Sequence, residues 1–215
     1  MTETSGTPRE RYRAQVREEV KERAWEQIAT AGASALSLNA IAKQMGMSGP
    51  ALYRYFGSRD ELITELIGDA YRGLAKTFRS AAEAGADLAG LAHALRRWAI
   101  EDPQRYFLIY GTPVPGYHAP DDVTAIASEI MATLLDACVA GSPDTDAATA
   151  FGEHLRHHRR WAGDHPAPPA ALHRALSFWA RLHGALSLEL AGHFTGMGFD
   201  PSLLFTAELD DLLRR

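Results

Sequence analysis

Apolar residues recur at helical spacing almost from end to end of this chain, and strand-like alternation is nearly absent. That pattern confines the fold to an all-α architecture. Val16, Val20, Ala24 and Ile28 repeat every four residues in a helix expected over 11–31, and Trp25 widens its face. Ala31-Gly32 stops it. Leu38, Ile41, Ala42 and Met45 follow the i, i+3, i+4, i+7 rule behind a cap at Ser37, and Gly46 ends that short helix. Ser48 is the next cap, with Pro50 in a first turn where its missing N–H costs little, and Gly57 is the stop. Ser58-Arg-Asp-Glu61 reads as a capping box opening a long helix through Leu62, Ile63, Leu66, Ile67, Ala70, Leu74 and Phe78. Further helices are expected over about 87–101, 103–110, 122–140, 145–162, 170–194 and 201–214, punctuated by proline and glycine.

The stretch from Leu38 to Phe56 has helix-turn-helix spacing, two short helices joined by Gly46-Met-Ser48. A small residue must sit where the helices cross, and Ala42 does. A residue tolerant of unusual backbone must follow four later, and Gly46 does. Leu52, ten after the alanine, anchors the second helix. Gly49, Pro50 and Ala51 present little bulk, so this helix could enter a major groove closely. Arg54 could reach a guanine edge or a phosphate, and the hydroxyls of Tyr53 and Tyr55 suit phosphate oxygens. Lys43 and Arg59 flank them as phosphate clamps. Ser37, Ser48 and Ser58 put helix N-termini, which favour anions, beside the same surface.

The run LSLNAIAKQMGMSGPALYRYFGSRDELITELI resembles the N-terminal DNA-binding domain of the TetR family of bacterial repressors. Ile41-Ala42, Gly46-Met-Ser48, Leu52-Tyr53-x-Tyr55-Phe56 and Ser58-Arg59-Asp-Glu-Leu62 carry the resemblance. It implies a homodimer with a three-helix DNA-binding head and a helical ligand-binding body. On that pattern Gly49, Pro50 and Ala51 face bases, while Tyr53, Tyr55 and Arg59 hold phosphates. The polar residues that many members carry near Gly49 and Ala51 are absent here. Base reading then falls to Arg54, to DNA shape, or to an N-terminal arm bearing Arg9, Arg11 and Arg13. The expected division is a flexible basic arm over 1–14, a helix-turn-helix domain over 15–60, and a ligand-binding and dimerisation domain over 61–215.

Trp179-Ala-Arg-Leu-His183-Gly184 resembles the Trp–His–Gly signature of one branch of that family. Trp179 and His183 are four apart and share a helix face. Phe178, Leu182, Ala185, Leu186 and Leu190 extend the apolar arc, as Phe199, Leu203, Leu204, Leu209, Leu212 and Leu213 do for the last helix. Arcs that wide imply a second surface to bury, and a partner subunit is the expected cover. Candidate pocket residues are Phe107, Tyr110, Tyr117, His118, Met131, Trp161, Trp179 and His183, an inventory suited to an apolar or aromatic effector.

Other chemistry fits less well. His154 and His158 share a face, but Arg156, Arg159 and Arg160 crowd it and would repel a metal, so no metal or cofactor is expected. The single cysteine, Cys138, lies among apolar residues and excludes a disulfide framework. No nucleophile elbow, paired carboxylates or phosphate loop argues for an enzyme. A helical interaction module without DNA is the competing reading. The polar N-terminus and the lack of an apolar run of about 18–20 residues predict a cytoplasmic chain without a membrane partner. The formal charge of −5 argues at first against a nucleic-acid partner. Residues 1–60, however, hold nine basic and seven acidic side chains, and residues 61–215 hold thirteen and twenty. The acidity belongs to the body.

Overall fold

The computed structural model describes residues 7–111, 120–141 and 149–214. The described residues form ten α-helices and no strand. They are α1 (Pro8–Ala31), α2 (Leu38–Gln44), α3 (Gly49–Leu52), α4 (Arg59–Glu83), α5 (Leu88–Glu101), α6 (Pro103–Tyr110), α7 (Asp121–Ala140), α8 (Ala150–His157), α9 (Pro169–Leu190) and α10 (Pro201–Leu213).

Helix α1 starts earlier than its apolar pattern indicates. Thr7 accepts from the Glu10 amide while Glu10 reaches back to the Thr7 amide, a closed capping box with Pro8 behind it. Arg9, Arg11 and Arg13 are therefore helical rather than part of a flexible arm. Of the single helix expected over 145–162, residues 145–148 lie outside the described residues, and the rest forms α8 followed by a 3-10 turn at Arg160–Ala162. Clustered cations at i, i+3 and i+4 weaken a continuous helix there. Helix α9 ends at Leu190, four residues early, because Gly192 turns left-handed at φ 76° and His193 N–H bonds back to the Leu188 carbonyl.

Two apolar cores result. The head core gathers Val16, Val20, Ala24 and Ile28 of α1, Leu38, Ile41 and Ala42 of α2, Leu52 of α3, Phe56, and Leu62, Ile63, Leu66 and Ile67 of α4. It also takes Leu108 of α6 and Val123 of α7. A boundary at residue 60 thus cuts through this core. The body core is built from the rest of α4 with α5, α7, α9 and α10, plus Tyr106 of α6, Leu155 of α8 and Ala167. Helix α6 serves both cores. Tyr71 and Ile109 likewise pack against each.

Against expectation, α7 is long and apolar enough to cross a bilayer. Its alanine-rich composition suits a helix packed on several neighbours. It buries Val123, Ile130, Leu134, Leu135 and Cys138, and contacts α4, α5 and α9.

Candidate nucleic-acid interface and effector pocket

The head turn has the geometry its spacing requires. Gly46 sits at φ 65°, a conformation that a β-carbon disfavours, and Met47 N–H bonds back to the Ala42 carbonyl at 2.8 Å. Ala42 and Leu52 are buried. Helix α3 is a single turn, and residues 53–55 continue it as turns. Pro50, Tyr53 and Arg54 are exposed, while Gly49, Ala51 and Tyr55 are half-buried. Lys43 and Ser48 are exposed as well. Ser37 caps α2 by accepting from the Ala40 amide at 3.3 Å. Ser48 has extended cap backbone, but its side chain makes no cap bond. Ser58 caps α4 through the Glu61 amide at 3.0 Å, and Glu61 reaches past it to the Gly57 amide at 2.7 Å.

Long-range bonds hold this segment. Arg13 donates to the Arg54 carbonyl at 3.0 Å. Arg17 donates to the Tyr55 carbonyl, pairs with Glu65, and lies over the Phe56 ring at 4.1 Å. Lys21 pairs with Asp69 at 2.8 Å. Burial alone would raise the Asp69 pKa, but bonds from Lys21 and Arg72 hold it below the ordinary carboxylate value. Helix α1 thereby fixes the end of the recognition segment to α4.

Arg59, expected as a phosphate clamp, does something else. Its guanidinium donates to the carbonyls of Ala33 at 2.7 Å, Leu36 at 3.1 Å and Ser34 at 3.2 Å. Those carbonyls belong to the short 3-10 turn Ala33–Ala35 and its C-cap Leu36, where the Ala33 carbonyl also accepts from the Leu36 amide at 3.3 Å, and a planar fork with five N–H groups reaches all three together. Arg13 is similarly engaged with main chain.

In the body, Tyr110, Trp179 and His183 come together. The rings of Tyr110 and His183 are 4.3 Å apart, and those of Trp179 and His183 are 4.4 Å apart. Phe107 joins through Tyr106, edge to face at 5.6 Å. Met131 and Trp161 pack on the body core without a ring contact or hydrogen bond to this cluster. Tyr117 and His118 lie outside the described residues. Sequence reasoning missed Tyr106, Tyr71 and Ser187. The Tyr106 hydroxyl is 3.0 Å from His183 Nδ1, 3.1 Å from the His183 carbonyl and 2.9 Å from Ser187 Oγ. Tyr71 meets Tyr110 edge to face at 6.2 Å. The i, i+4 relation of Tyr106 to Tyr110 was an available signal.

Burial lowers the His183 pKa to about 4. It raises that of Tyr110 well above the phenol value, with Tyr71 and Tyr106 adding to the effect. Cys138 is buried, which pushes its thiol up to about 12 and suits packing rather than nucleophilic attack. His154 and His158 stack 3.9 Å apart on an exposed surface. No group of three or more metal-ligating side chains occurs among the described residues.

Residues 22–66 match the family described as "Bacterial regulatory proteins, tetR family". Residues 88–212 match "Tetracyclin repressor-like, C-terminal domain". The HTH-type transcriptional regulator Rv1816 of Mycobacterium tuberculosis is 36% identical over 214 residues, covering 91% of this chain and 90% of the relative. The crystal structure of SCO4313 is 73% identical with a TM-score of 0.89, covering 97% of this chain and 100% of that one. PfmR of Thermus thermophilus, a TetR family transcriptional regulator, shares the fold with a TM-score of 0.57 at 20% identity, over 91% of this chain and 97% of its own. With the turn at Gly46, the three-helix head and the helical body, these relatives establish that the chain belongs to the TetR family of bacterial transcriptional regulators: it is a DNA-binding regulator, not an enzyme.

Proposed function

We propose that the protein is a cytoplasmic homodimeric repressor, released from a near-palindromic operator when a small apolar or aromatic effector binds its body. The observation that carries this reading is the position of α6. Leu108 is buried in the head core, and Tyr106, two residues away, is buried in the body core beside His183. Arg105 also lies over the Trp25 ring of α1 at 5.4 Å. A ligand that displaces α6 at the Tyr110–Trp179–His183 cluster must therefore disturb head packing. Its differential affinity for two head arrangements sets how far operator affinity falls.

At the DNA, Gly49, Pro50 and Ala51 enter the major groove, Arg54 reads a base edge or holds a phosphate, and Ser37, Lys43, Ser48, Tyr53 and Tyr55 contact the backbone. Arg59 supports them by fixing the turn before Ser37. Two recognition segments must reach successive major grooves, about 34–36 Å apart. Exposed apolar residues on α9 and α10 support a partner copy there.

Genome-wide footprinting with the purified protein tests the reading. Protected sites should be inverted repeats, and affinity should fall linearly on logarithmic axes with salt, by a slope of about 0.9 per phosphate contact. Protection no better than random duplex at every site overturns it.

A further inference from the structure

Tyr110 Oη and His183 Nε2 are cut off from solvent, and neither has a hydrogen-bond partner among the described residues. Native proteins pair nearly all buried polar atoms, so two orphans on adjoining rings call for a reason. The neighbours fix what each atom can do. Tyr106 has one hydroxyl proton, and its oxygen is 3.1 Å from the His183 carbonyl, which can only accept. The one arrangement that puts a proton in all three contacts of that oxygen sends the tyrosine proton to the carbonyl, with His183 Nδ1, at 3.0 Å, and Ser187 Oγ, at 2.9 Å, donating to the tyrosine oxygen.

A neutral imidazole has one N–H, so Nε2 is a bare acceptor. The imidazole is neutral because burial lowers its pKa to about 4. Tyr110 keeps its proton for the same reason and is a donor. The rings against His183 are Tyr106, Tyr110 and Trp179, none of them charged. An ion entering there would lose its water without gaining a counter-charge.

We infer that the body recognises a neutral, hydroxyl-bearing ring compound, its O–H donating to His183 Nε2 and its oxygen accepting from Tyr110 Oη. A hydroxyl answers both atoms together, as a water does where no ligand is bound. A hydrocarbon leaves both unmet, and a carboxylate has no proton to give. The inference rests on reading the body as an effector domain and names the chemistry of that effector.

Calorimetry on the full-length protein with 4-methylphenol, toluene and 4-methylbenzoate tests it. The phenol should bind at least about tenfold tighter than either of the others. Tyr110→Phe and His183→Phe should each erase most of that margin. Nitrogen-15 NMR of histidine-labelled wild-type protein avoids any folding defect in the variants. The His183 Nε2 resonance should lie in the unprotonated range and move with the phenol but not with toluene. Equal binding of toluene, an unmoved Nε2 resonance, or no phenol binding below about 10 mM overturns the proposal. Phenol held by both atoms with operator affinity unchanged upholds the site and counts against effector-driven release. Release by toluene or 4-methylbenzoate alone does the reverse.

Discussion

Tyr53 and Arg59 lie six residues apart and should respond to substitution in opposite ways. Tyr53 is 45% exposed, and its hydroxyl has no bond among the described residues. Tyr53→Phe should leave the melting temperature unchanged and weaken binding to every DNA sequence by about 1.5–3 kcal/mol, the worth of one hydrogen bond to a charged group. An unchanged affinity would remove its phosphate role. Arg59 holds three carbonyls of the turn before α2. Arg59→Ala should cost about 1.5–3 kcal/mol of stability, read by urea denaturation, because charged donors contribute more than neutral ones. A stable variant with weakened DNA binding would return Arg59 to the phosphates. His183 makes a pH prediction. Its ordinary pKa of 6.5 falls to about 4 on burial. Between these values the unfolded chain takes up a proton that the folded chain refuses. The contribution is complete above about pH 6.5 and is lost as the pH falls toward 4, by about 3 kcal/mol at the end of that window. Urea midpoints from pH 7 to pH 4 should fall more steeply in the wild type than in His183→Gln, and parallel curves would exclude His183 as the cause.

Helices were legible in this sequence where a local rule governed them. Gly46 was legible because few residues other than glycine accept φ 65° in that turn. Ser37 and Ser58 were legible because a cap is made within three residues. The broken stretch at 158–160 was not, since no proline or glycine marks it. Nor was Arg59, whose partners lie 23 to 26 residues back in a turn with no periodicity. The aromatic cluster of the body was half legible. Trp179 and His183 announce a shared face, but Tyr106 meets Ser187 across 81 residues, and helical spacing does not say which face of α6 turns toward α9. Helix α6 is where that omission matters. Leu108, 8% exposed, joins a short body helix to the head core. Leu108→Ala should cost about 2–4 kcal/mol as a cavity opens beneath α1 and α4. Hydrogen exchange should rise first at the buried face of α1, Val16 to Ile28, with α9 protected as before. Uniform loss of protection would mean that α6 belongs to one cooperative body rather than bridging two.

The homodimer proposed above would use a distribution of charge and apolar surface that runs over the whole molecule. The excess of acid lies beyond residue 60, and like charge disfavours the approach of that part of the chain to DNA. Helix α3 of a single head is one turn long, and in the proposed homodimer two heads held at fixed spacing add their affinities. Among the described residues ten large apolar side chains are exposed, and five of them, Leu188, Met197, Phe199, Leu203 and Leu213, fall on α9, α10 or the segment between them. Leu203 is 68% exposed and Met197 64%. Scattered apolar residues are ordinary, but this concentration is what a symmetric interface between copies requires. Leu203→Asp places a carboxylate in that surface twice per dimer. Dimerisation should weaken by at least about a hundredfold, since each buried charge lacks a partner. Sedimentation equilibrium should then show a folded monomer, with operator affinity reduced and the weak affinity for one half-site retained. A dimer of unchanged strength would move the interface elsewhere.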